Sequence, residues 1–89
     1  MLVLNSSIIL DKDETTNSQY LMNIENGAIY NLNDIAFRII NCINDGKAID
    51  EYVDDIYEIT NKEISKDIIK EDAEKYVQEL VALGIVYED

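Results

Sequence analysis

A chain of 89 residues, 47% of them apolar, can bury one small core, so residues 1–89 are expected to form a single domain. Nineteen Asp and Glu against seven Lys and Arg leave a net charge of -12, which argues against nucleic-acid backbones and anionic membrane surfaces as partners. With no histidine and one cysteine, Cys42, the chain excludes Cys/His and Ser/His/Asp catalysis, ordinary zinc sites and an internal disulfide.

The start, MLVLNSSIIL, has no basic region, no long apolar run and no small-residue cleavage site, and no stretch approaches the roughly 18 apolar residues of a membrane span. With the lone cysteine, this predicts a reducing, cytoplasmic setting. Residues 7–10 and 20–24 read as strands, and the polar run DKDETTNS between them reads as a loop. Asn26-Gly27 predicts a two-residue type I′ turn, in which both central residues need positive φ. Residues 20–25 then pair antiparallel with residues 28–32, Ile24 faces Ile29, and Leu21 shares a face with Tyr30 and Leu32. About three strands result.

From Asn33 the apolar period lengthens to that of a helix. Asn33 or Asp34 can cap a first helix carrying Ile35, Ala36, Ile39, Ile40 and Ile43 at helical spacing, and Asp45-Gly46 ends it. A second helix is predicted over residues 49–59, burying Tyr52, Val53, Ile56 and Ile59 and exposing Asp50, Glu51, Asp54, Asp55 and Glu58. Ser65 is a good N-cap for the third, with Ile64 and Ile69 placed as a hydrophobic staple. Its predicted buried stripe is Ile69, Ala73, Tyr76, Val77, Leu80 and Leu83, with Gly84 just past its end and Ile85 and Val86 closing onto the core. The fold class is therefore α+β: a three-stranded antiparallel sheet followed by three helices, the winged helix-turn-helix order.

No catalytic residue, metal site or cofactor is expected. Cys42 lies within the apolar first helix, where a buried thiol is inert. Carboxylates adjacent in sequence, such as Asp54 and Asp55, do not face each other on a helix, and no D-x-D-x-D-G calcium loop is present. Gly27, Gly46 and Gly84 all fall at predicted turns, which leaves no phosphate-cradling loop.

The ordered series over residues 20–86 resembles the PqqD family of peptide-binding modules, also called RiPP recognition elements. It comprises Gly27-x-x-x-x-Leu32-Asn33, Asp45-Gly46, then Ile49, Tyr52 and Ile56, then Asp72-Ala73, Tyr76-Val77, Leu80 and Gly84-Ile85-Val86. The pattern Gly27-x-x-Tyr30-x-Leu32-Asn33 is especially similar to free-standing modules of lasso-peptide pathways. One departure is Ala48, where family members commonly have Thr or Ser capping the second helix. A lost cap costs about 0.5–2 kcal/mol, partly offset here by Asp50 and Glu51 in the first turn.

The resemblance implies a non-catalytic adaptor that binds the leader of a ribosomally made precursor peptide by strand addition and presents it to a modifying enzyme or leader peptidase. Strand addition takes affinity from backbone groups and specificity from side-chain pockets. Carried over, Ala28, Ile29, Tyr30 and Asn31 supply the edge, and Lys70, Ala73, Glu74, Val77 and Val81 supply the helix wall of the groove. Lys62, Lys66, Lys70 and Lys75 form a basic strip suited either to acidic leader residues or to i,i+4 pairing with Glu71 and Glu74. An open edge also predicts a homodimer in the absence of peptide. Two other readings share the fold: a winged-helix transcription regulator, which the acidic second helix opposes, and a small acidic subunit that stabilises an enzyme.

Overall fold

The period-2 segment folds as a three-stranded antiparallel meander and the 3.6-period segment as three helices that follow it. The computed structural model describes residues 1–89, in the order β1 (Leu2–Leu4), β2 (Ile8–Asp13), β3 (Ser18–Asn23), β4 (Ile29–Leu32), α1 (Asp34–Asn44), α2 (Ile49–Ile59), α3 (Lys66–Ala82) and β5 (Val86–Glu88). A three-stranded sheet followed by three helices gives the α+β, winged helix-turn-helix arrangement the sequence predicts.

Two strands were not legible. β1 pairs antiparallel with β5, Val3 opposite Tyr87, so the chain's two ends form their own two-stranded sheet. Asn5 locks this pairing, since its N–H donates to the Ile85 carbonyl at 2.8 Å and its side-chain amide to the Gly84 carbonyl at 3.0 Å. Three-residue strands are too short to show a period of two. β2 also runs further than residue 10: Asp11, Lys12 and Asp13 pair with Tyr20, Gln19 and Ser18, which shortens the predicted loop to four residues. Asn17 takes φ 58 there, and the Asp13 carboxylate accepts the Thr15 N–H at 2.9 Å.

The β3–β4 register differs from the predicted one by two residues. Met22, not Ile24, lies opposite Ile29, and the loop is Ile24-Glu25-Asn26-Gly27. Gly27 takes φ 73 whereas Asn26 stays at negative φ, so the type I′ turn does not form. Instead the Asn26 carbonyl oxygen Oδ1 accepts the Ala28 N–H at 2.9 Å, and Asn23 Oδ1 accepts the Glu25 N–H at 2.9 Å. The loop is tied down through Ser7, whose hydroxyl donates to Glu25 at 2.6 Å and whose carbonyl accepts the Ile24 N–H at 2.9 Å. An even shift conserves which face each side chain occupies. Leu21 therefore still shares its face with Tyr30 and is fully buried.

The core lies between that face and the helices, with Leu21, Ile39, Ile40 and Val86 at its centre. Leu83 and Ile59, predicted as buried, are exposed, because each sits at a helix's last turn where the stripe has rotated past the sheet. Asn33 caps α1, its side chain accepting the Ala36 N–H at 2.7 Å, and Ser65 caps α3, accepting the Ile68 N–H at 3.3 Å. α2 has no side-chain cap at Ala48, whose φ -72 and ψ 150 nevertheless suit one. With Glu51 three residues on, Ala48→Ser would complete a capping box. The variant is expected to gain about 1 kcal/mol in chemical denaturation, with the m-value unchanged.

Candidate functional site

β4 is paired on one side only, by β3. Asn23 donates its N–H to the Ala28 carbonyl at 2.9 Å, which makes that pair a bonded one. Antiparallel alternation then makes Leu21–Tyr30 and Gln19–Leu32 bonded as well. The N–H and C=O groups of Ile29 and Asn31 are left pointing outward from the sheet. Ala28 and Tyr30, predicted as edge residues too, do not share this role: the Ala28 carbonyl accepts the Asn23 N–H and its own N–H is held by Asn26, while the backbone groups of Tyr30 face Leu21.

Beside this edge runs a trough between β4, the start of α1 and α3. Its first section, about 180 Å³, has Leu21 and Leu32 beneath it, Tyr30 on the strand side, and Tyr76, Glu79, Leu80 and Leu83 on the helix side. Its second, about 160 Å³, lies between Ile35, Ala36 and Ile39 of α1 and Asp72, Ala73 and Tyr76 of α3, with Tyr52 at its end. Tyr76 borders both sections, which adjoin at its ring and together make up a channel along α3. Burial, and then the Glu79 carboxylate, hold the Tyr76 hydroxyl above the usual tyrosine pKa; burial, and then Asp72, do the same for Tyr52. The channel thus offers apolar walls, three tyrosines and two carboxylates next to a free strand edge.

The structure brings Tyr30, Asn31 and Ala73 to this channel, with Ile29 exposed on the strand edge just beyond it. It does not bring Lys70, Glu74, Val77 and Val81 there. These four lie between a third and half of a turn round α3 from Tyr76, Glu79 and Leu83, on the side facing α2 and solvent. Val77 is buried, while Lys70 pairs with Asp50 of α2 at 3.3 Å. Lys66 likewise meets Asp54 at 3.0 Å, a contact that raises its pKa, and Lys75 meets Glu71 at 3.4 Å. Three lysines of the predicted basic strip are therefore taken up in exposed ion pairs, Lys66 and Lys70 with α2 on the side away from the groove, and Lys62 makes none. Lys70→Ala is expected to change stability by less than about 0.5 kcal/mol in thermal denaturation, as exposed pairs do.

The residues that sequence reasoning missed are Asp72, Tyr76, Glu79 and Leu83. Tyr76 and Leu83 fall on the core stripe in sequence, and the one signal that sets Tyr76 apart is its polar tip, which favours a half-wet position. Cys42 is buried, its thiol 3.5 Å from the Ala48 carbonyl, and burial raises its pKa. No three Cys, Asp or Glu side chains come together as a metal site requires. No helix is long and apolar enough to cross a membrane.

Fold and edge together define a small winged helix-turn-helix module with one unpaired strand edge beside its last helix. Residues 19–86 match the family described as Coenzyme PQQ synthesis protein D (PqqD), and the chain belongs to that family. It is similar over 98% of its length to the structure described as TbiB1 in complex with the TbiA(beta) leader peptide, with a TM-score of 0.78, 17% identity and 99% of that chain covered. It is similar, again over 98%, to lasso peptide synthetase B1 complexed with the leader peptide, with a TM-score of 0.79, 18% identity and 98% of that chain covered. At these identities the likeness is one of fold. No curated protein matches the sequence.

Proposed function

We propose that the protein is a non-catalytic, cytoplasmic adaptor of a lasso-peptide pathway, capturing the leader of a ribosomally made precursor peptide as an extra strand on β4 and presenting it to a modifying enzyme or leader peptidase. The observation that carries this is the open edge at Ile29 and Asn31 lying along an apolar channel. An extended peptide takes its affinity from such an edge and its specificity from the pockets beside it. Membership of the PqqD family supports the reading, as do two similar structures that are themselves leader complexes.

The geometry gives the peptide a direction. Tyr30 to Leu32 lie with the later part of α3, and Asn33 to Ala36 with its earlier part, so β4 and α3 run in opposite senses. A strand antiparallel to β4 therefore runs with α3, entering near Asp72 and leaving near Leu83. The eleven residues between them span about 17 Å of helix, the length of roughly five strand residues.

An amide NMR titration with the leader segment of the precursor encoded nearest to the gene tests this. Shifts concentrated at Ile29, Asn31 and Tyr76 to Leu83 are expected. A folded spectrum that stays unmoved at high peptide concentration would overturn the reading.

A further inference from the structure

Both charged side chains that line the channel are carboxylates. Asp72 stands at its α1 end and Glu79 at its β4 end, both exposed, and neither is engaged in an ion pair. Lys66 and Lys70 of the same helix are taken by acids of α2 on its far side, and Lys75, the neighbour of Asp72 and Glu79 on the helix surface, is drawn to Glu71 at 3.4 Å. Arg38, whose charge also reaches Tyr52, is held by Asp34 at 2.8 Å. Burial first, and then Asp72 beside Tyr52 and Glu79 beside Tyr76, raise the pKa of these two hydroxyls, in keeping with a carboxylate next to each of these two tyrosines. A peptide lying there meets negative charge at each end and no free cation.

We infer that the channel selects a basic leader segment: an extended run whose groove-facing side chains are apolar, interrupted by Lys or Arg positioned to meet Asp72 and Glu79. This rests on strand addition to β4. Seven residues separate the two carboxylates, about 10 Å along the helix. Side chains on one face of a strand recur every 6–7 Å or so, so basic residues two or four positions apart bring their flexible stems within reach of both. The net charge of -12 draws a cationic peptide in from a distance and repels an acidic one. The selectivity is thus opposite to the one the lysine content of α3 suggests.

Display selection of randomised 15-residue peptides on the folded chain tests the inference, with the selected peptides then examined by amide NMR. Peptides that shift Ile29 and Asn31 are expected to be enriched in Lys and Arg among alternating apolar residues. Asp72→Asn with Glu79→Gln should weaken them about fourfold or more, since each exposed pair is worth roughly two- to fivefold at low salt. The advantage should vanish in about 1 M salt. Glu51→Gln with Glu58→Gln removes the same charge from the outer face of α2 and should leave affinity within twofold. The double variant Asp72→Lys, Glu79→Lys should select acidic peptides instead. Edge-binding peptides with no basic enrichment, or an equal loss in the two neutralised variants, would overturn the inference and leave strand addition standing. If no peptide moves Ile29 and Asn31, strand addition falls, and the inference with it.

Discussion

Asn31→Pro is expected to weaken leader binding about 100-fold while leaving the protein folded. The Asn31 N–H points away from β3, so proline there removes no ladder bond within the sheet. Edge strands tolerate proline for this reason. For an incoming strand the change is severe. One donor is lost, a leader carbonyl is left desolvated without a partner at about 1–3 kcal/mol, and the ring projects toward the approaching backbone. Tyr30→Pro makes the contrast, because the Tyr30 N–H belongs to the bonded pair with Leu21 and its loss unpairs β4 itself. Calorimetric titration with leader and thermal denaturation should separate the two. Asn31→Pro keeps its melting temperature within a few degrees and loses affinity, whereas Tyr30→Pro loses both. Undiminished affinity in a folded Asn31→Pro would show that the peptide does not use this edge.

What the sequence revealed follows from how each signal arises. The helices were legible because caps and period coincide: Asn33 before Ile39, Ile40 and Ile43, and Ser65 before Ile69, Ala73, Val77 and Leu80. The register of β4 was not, because Asn26 serves two kinds of turn equally well. Its backbone can take positive φ, or its side chain can accept the Ala28 N–H, and the contact of Ser7 with Glu25, 18 positions away, favours the second. The core face survived that error because the shift was even. The groove wall was obscured for a different reason. A helix that packs on a core along one edge of its stripe and lines a channel along the other shows a single broad stripe in sequence. Ile69 and Leu83 belong to it equally, and only the position of β4 separates buried from channel-lining. Ion pairing between α2 and α3 is likewise invisible until the two helices are docked, so Lys70 reads in sequence as a partner for Glu74 or for an acidic leader, not for Asp50.

Leu21→Ala should couple the fold to the site more directly than any surface change. Leu21 is 0% exposed at the centre of β3 and also forms the floor of the channel's first section. Removing a buried leucine costs about 2–5 kcal/mol. A domain of this size has only about 4–13 kcal/mol in total, so the melting temperature should fall by about ten degrees or more. Ile56→Ala on α2 removes a comparable amount of buried surface and should cost a similar amount, but Ile56 lies away from the channel. Leader at 100 times its dissociation constant stabilises a folded binder by about 2.7 kcal/mol, and the Ile56 variant should recover that increment in full. The Leu21 variant should recover less, because the cavity lies beneath the side chains the leader must contact. Calorimetric affinities taken at a temperature where both variants are folded isolate this difference. A leader affinity unaltered in Leu21→Ala would mean that recognition depends on the strand edge alone, with the channel contributing little beyond room for the peptide.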